Sequence, residues 1–103
     1  MSKYPKLPSN VGKRGELKMP LGEVRKYTIV GEVRRTQAGA PHKKICFQKV
    51  EFDDGRKELR LAYYIIGKKG RMKRKWVFGQ FATFMPARDF RSIVRRAKRK
   101  GLI

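Results

Sequence analysis

The densest chemistry in the chain is "GKKGRMKRKW", residues 67–76, where Lys68, Lys69, Arg71, Lys73, Arg74 and Lys75 run up to Trp76. Cations this close repel one another unless something anionic screens them, and no Asp or Glu occurs between Glu58 and Asp89. A run of charge is ordinarily a solvated surface. Here Trp76, Phe78 and Phe81 follow it directly, and Tyr63 and Tyr64 precede it. Cations interleaved with rings suit a single-stranded nucleic acid. The charges follow phosphates while rings stack on bases, at about 1–3 kcal/mol per base.

The other reactive side chains offer less. Glu51, Asp53, Asp54 and Glu58 gather around one turn, and a metal-dependent nuclease site can be imagined from them. Asp53 and Asp54 are already explained by the turn, however, and no Gly-rich phosphate loop accompanies them. His42 sits in a Pro-containing turn and is expected to be exposed. Cys46 is the only cysteine, so no intramolecular disulfide forms, and with one histidine the chain lacks a soft ligand set for zinc. The expectation is therefore no catalytic residue, no metal and no cofactor.

The totals point the same way. The 103 residues suffice for one modest domain, and 40% hydrophobic content supports a core. Lys and Arg number 28 against 8 Asp and Glu, a formal net charge of +20. Such a charge destabilises a compact fold by self-repulsion, and a polyanion that neutralises it is the usual reason to keep it. No apolar run is long enough to cross a membrane, and the N-terminus lacks the apolar segment of a signal peptide. The expected setting is a reducing cytoplasm, on the nucleoid if the source is prokaryotic.

These side chains need elements to position them. Residues 1–22 hold three prolines, three glycines and five cations, and read as a disordered basic arm. Lys3, Lys6, Lys13, Arg14 and Lys18 would there add non-specific electrostatic affinity. The single nucleic-acid-binding domain is expected over 23–103. In "VRKYTIVGEVRR", Tyr27, Ile29 and Val33 share one face at period two, with Gly31 a weak point or a bulge. "ICFQKVEF" is a second strand. Asp54-Gly55 then predicts a two-residue turn, which sets Val50 opposite Leu59, Gln48 opposite Leu61 and Cys46 opposite Tyr63. That register makes an apolar face of Leu59, Leu61, Tyr63 and Ile65, and a mixed cationic face of Phe47, Lys49, Arg60, Ala62 and Tyr64.

"WVFGQFATFM" reads as a fourth strand. On it Trp76 and Phe78 share a face with Gln80, Ala82 and Phe84. In "PARDFRSIVRRAKRKG", Pro86 suits a helix start, Asp89 the positive end of the dipole and Gly101 the stop. Phe90, Ile93, Val94 and Ala97 form the apolar stripe, with Arg88, Arg91, Arg95 and Arg99 behind. Phe52, Phe84 and Phe90 are expected in the core. The predicted class is α+β: a four-stranded antiparallel sheet, ββββα, with the C-terminal amphipathic helix packed on one face.

The stretch "ELRLAYYIIGKKGRMKRKWVFGQFATFMPARDFRSIVRRA" resembles the family of the transcriptional coactivator p15 (positive cofactor 4) and its bacterial relatives, which bind single-stranded DNA. Tyr63-Tyr64, the basic turn Lys68–Lys75, Pro86 and the stripe Phe90/Ile93/Val94 take the family's places in order. Where the family has a short strand, this chain carries the longer "KWVFGQFATFM". The resemblance implies a homodimer whose C-terminal helices pack together, with sheets holding unpaired strands. It implies phosphate contacts at Arg34, Lys49, Arg60 and the loop cations, and stacking at Tyr64 and Trp76.

The leading expectation is a non-enzymatic binder of single-stranded or melted DNA with little sequence specificity, serving transcription or DNA maintenance. A structural RNA-binding protein of ribosomal type, and a small duplex-DNA regulator, are the alternatives. The enzyme reading ranks last.

Overall fold

The structure is a computed structural model that describes residues 4–79 and 82–103. It confirms the α+β class but, among the described residues, with five strands in place of four: β1 (Arg14–Lys18), β2 (Val24–Gln37), β3 (Ala40–Phe52), β4 (Lys57–Ile66) and β5 (Trp76–Phe78), followed by α1 (Ala87–Arg99). The strands form one antiparallel curled sheet in chain order, each hydrogen-bonded to the next. The additional strand comes from the segment expected to be a disordered arm. Glu16 pairs with Lys26, and Leu7 and Asn10 are buried. Lys3, Gln80 and Phe81 lie outside the described residues. The expected fourth strand shortens to Trp76–Phe78.

Two local events reset which side chains share a face. The β3–β4 hairpin closes at Phe52 and Arg56, which enclose the three residues Asp53, Asp54 and Gly55, with Gly55 N donating to Phe52 O and Phe52 N to Arg56 O. This is a type I turn closed by a left-handed glycine, Gly55 at φ 91°. The pairing moves by one residue from the predicted register: Val50 faces Glu58, Gln48 faces Arg60 and Cys46 faces Ala62. Because side chains alternate with period two, a one-residue slip transfers the whole set of a strand to the other face. Leu59, Leu61, Tyr63 and Ile65 therefore stand with Phe47 and Lys49. Arg60, Ala62 and Tyr64 stand with Cys46 and Gln48.

In β2 the register shifts between Ile29 and Gly31, leaving Val30 as an extra residue. The bulge sets Glu32 and Arg34 on the face of Tyr27 and Ile29, while Val33 goes to the opposite one.

The helix-covered face is built on Val33, Ile45 and Phe47 of the sheet and Ile93 and Ala97 of α1. Fully burying Ile45 and Ile93 contributes about 1.5–3 kcal/mol each. α1 packs chiefly on β2 and β3, and the helix-side face of β4 is left largely open. Leu59, Leu61 and Ile65 are exposed there; Phe84 (86%) and Phe90 (49%), two rings expected in the core, are exposed as well. Phe52 does join a core, the second cluster with Ile29 and Val50 on the other face.

Polar contacts lock α1 in place. Asp89 is completely buried and accepts from Arg35 Nε at 2.5 Å and Ala38 N at 3.0 Å. Those hydrogen bonds, Arg35 foremost, hold its carboxyl below the usual carboxylate range. Arg96 donates to Arg34 O and Lys100 to Glu32 O at 3.0 Å. Both acceptors lie on the part of β2 that β1 does not reach, so helix cations cap an otherwise open sheet edge.

Candidate nucleic-acid interface

The face opposite α1 carries a polar network in its centre. Glu32 is buried, accepts from Asn10 Nδ2 at 3.0 Å and Gln48 Nε2 at 2.6 Å, and pairs with Arg34 Nε at 2.8 Å. Arg60 donates to Gln48 Oε1 at 2.9 Å and to Tyr27 OH at 2.8 Å. Its guanidinium lies 5.2 Å from the Tyr27 ring centroid and 5.3 Å from that of Phe78. A buried carboxylate costs free energy unless paired and hydrogen-bonded, and Glu32 has both kinds of partner. Arg34 and Arg60, predicted to contact phosphate, are thus half-buried and engaged within the protein.

Residues 4–10 cross this face as a strap. Arg34 donates to Leu7 O at 2.6 Å and to Pro8 O. Trp76 Nε1 donates to Pro5 O at 2.6 Å, with Tyr4 packed edge-on at 6.3 Å between ring centroids. Beside Trp76 stand Tyr64 and Phe78, whose rings meet edge to face at 5.4 Å. Phe78 is 40% exposed, and burial pushes the Tyr64 phenol above its ordinary pKa. Lys44 reaches over the Trp76 ring at 5.6 Å from its centroid.

The basic loop rises from the end of this platform. Gly67 N donates to Lys75 O and Arg74 N to Gly67 O, both at 2.9 Å, closing the base of a finger. Its tip is a single 3-10 turn, Gly70–Met72. Lys68, Lys69, Arg71, Lys73, Arg74 and Lys75 are all exposed. Between strap and finger opens a cleft of about 390 Å³, lined in part by Lys6, Lys13, Tyr64, Arg74, Lys75 and Trp76.

Of the predicted site residues, Tyr64, Trp76, Arg74 and Lys75 line this cleft, Lys68 and Lys73 line a neighbouring hollow with Tyr4 and His42, and Lys69 and Arg71 stand farther out on the finger. Arg34 holds the strap that borders the cleft, and Arg60 lies beside Phe78 on the same face. Lys49 does not belong: it pairs with Leu59 and lies on the helix-covered face. The same register separates the imagined carboxylate site, placing Glu51 and Glu58 on opposite faces. Asp53 pairs with Arg14 at 2.9 Å, and Asp54 with Arg56 and Arg25. Among the described residues no cluster of three His, Cys, Asp or Glu is placed to hold a metal ion. His42 is half-buried beside the finger rather than exposed.

Lys44 was missed, although its period-two spacing to Cys46 and Gln48 was legible. The exposure of Phe78 was not legible in its immediate neighbours. Lys6 and Lys13 were read only as diffuse charge, because nothing in a Pro- and Gly-rich segment signals where it docks. The fold and this surface define an α+β protein with rings and cations on one sheet face. No protein-family model, curated protein or solved structure matches the chain.

Proposed function

We propose that the chain is a non-enzymatic nucleic-acid-binding protein that holds single-stranded or locally melted DNA with little sequence readout, in transcription or DNA maintenance. One observation carries this reading: the cleft in which Tyr64 and Trp76 stand among Lys6, Lys13, Arg74 and Lys75. Bases stack at the rings while phosphates run along the cations of finger and strap. Backbone contacts and stacking are indifferent to base identity, which accounts for low specificity. The resemblance of the stretch from Glu58 to Ala97 to the p15 family supports the same reading.

Trp76 is the only tryptophan, so its fluorescence reports one place. Titration at fixed salt with a single-stranded oligonucleotide is expected to quench it strongly, and the matching duplex weakly. Stronger quenching by a folded RNA would move the natural partner to RNA. Tight binding with no change at Trp76 would remove the ring from the interface and sink the reading. The variant Lys69→Ala/Arg71→Ala/Lys75→Ala is expected to weaken single-strand binding. It should also flatten log K against log salt by about 0.7 for each phosphate it no longer neutralises.

A further inference from the structure

The cations of α1 and of its C-terminal cap divide into two groups. Arg96 and Lys100 point along β2 and cap its carbonyls, as described above. Arg88, Arg91, Arg95 and Lys98 lie on the side turned away from the sheet, opposite the buried Asp89, Ile93 and Ala97, with Arg99 on the flank where it borders a hollow with Val33, Arg96 and Lys100; all five are exposed. Among the described residues, Arg91, Arg95, Lys98 and Arg99 form no ion pair. The helix's one acid, Asp89, is buried and bound to Arg35. This unneutralised row therefore stands on the reverse side of the sheet from the cleft and its rings.

We propose that the outer face of α1 is a second nucleic-acid surface, for the phosphate backbone of a duplex, so that one copy of the chain bridges a single strand and a duplex. The helix rises about 1.5 Å per residue, so Arg91, Arg95 and Arg99 follow one another at about 6 Å along a rigid axis. A duplex carries one charge per about 1.7 Å of its length, a denser and stiffer anion than a flexible strand. Phe90, the one ring on the helix, falls on the side of Ile93 and Ala97 at 3.6 residues per turn. The row itself thus offers no ring for a base to stack on, which separates it from the cleft. A membrane surface fits poorly, because the apolar stripe that would enter lipid is packed on the sheet through Ile93 and Ala97. Self-association through this face would bring two rows of arginine together.

The single-strand half of the proposal rests on the function proposed above; the duplex half does not. The experiment uses the full chain, a biotinylated duplex on beads and a fluorescent single-stranded oligonucleotide. The wild type is expected to retain the oligonucleotide on the beads, with one protein per ternary complex by sedimentation. Arg91→Ala/Arg95→Ala/Arg99→Ala is expected to lower retention about tenfold. The slope of log K against log salt on duplex should fall by about 0.9 for each phosphate left unneutralised. Quenching of Trp76 by the single strand should stay within about twofold of wild type, a result that also shows the variant folded.

Undiminished retention by the variant would overturn the proposal. So would a ternary complex containing two proteins, or failure of the strand-saturated wild type to bind the beads. A single strand that leaves Trp76 unquenched defeats the reading of the cleft alone. Direct duplex binding by wild type and variant then still judges α1.

Discussion

Cys46 and Asp89 are both fully buried, yet their environments push them in opposite directions. Burial is the main cause that raises the Cys46 thiol to about 12, with the charge of Glu32 adding and that of Arg34 opposing. A thiolate is the reactive form, so Cys46 is inert at pH 8 in the folded chain. A thiol reagent is expected to label it only at the rate of unfolding; labelling at the rate of a free thiol would contradict its burial. Asp89 is shifted down by Arg35 and Ala38. Its contribution is complete above the unfolded value of about 3.9 and is lost as pH falls through the lower folded value. The melting temperature should drop over that acid range. Asp89→Asn should melt lower than wild type at pH 6 and respond less to acid, and an equally steep acid limb in both would refute this. The dipole role of Asp89 was legible in the sequence. Its partners were not, because Arg35 and Ala38 lie some fifty positions away.

Ile93 seats α1 on the sheet, so at the scale of elements Ile93→Ala should cost about 2–5 kcal/mol. For a domain of this size each kcal/mol lowers the melting temperature by about 4–8 °C. The finger depends on a different kind of contact. A Cβ on Gly67 would collide with the carbonyl oxygen of Met72, which is backbone and cannot swing aside. Gly67→Ala should therefore spread the base of the finger and weaken single-strand binding several-fold, while the melting temperature changes far less than for Ile93→Ala. Unchanged affinity, read by Trp76 quenching, would show that the finger's shape is immaterial. β2, β3, β4 and the helix were legible from their periods, and the helix ends from Pro86 and Gly101; β1, hidden in a Pro- and Gly-rich segment, was not. Their facing was not. Asp-Gly permits both a two-residue turn and the three-residue turn observed, and nothing local at Gly31 distinguishes a bulge from a weak strand position.

Charge governs the molecule as a whole. Among the described residues, five ion pairs engage Asp53, Asp54, Glu32 and Asp89, which leaves most of the 28 cations without an acid. Raising ionic strength shortens the Debye length from about 30 Å at 0.01 M to about 8 Å at 0.15 M. Self-repulsion in the free protein is then screened, so its melting temperature should rise across that range. Affinity for single-stranded DNA should fall over the same interval, because releasing counterions into a saltier solution gains less entropy. Added oligonucleotide should also raise the melting temperature, most at low salt, since a ligand of the folded state stabilises it by mass action. A melting temperature indifferent to both salt and oligonucleotide would mean that the surplus charge neither strains the fold nor meets a ligand.

Composition and periodicity alone determined the α+β class, the amphipathic helix, the exposed basic finger and the excess of unpaired charge. Each follows from residue types and local spacing. The tertiary structure decided which side chains share a face, and hence that Lys49 parts from Tyr64 while Arg34 joins it. It also decided that residues 4–10 cross the sheet beside Trp76, and that α1 leaves β4 largely open. These depend on one extra residue in a turn, one in a bulge, and contacts between segments far apart in the chain. With a side-chain period of two, a single-residue change of register reverses every assignment downstream of it.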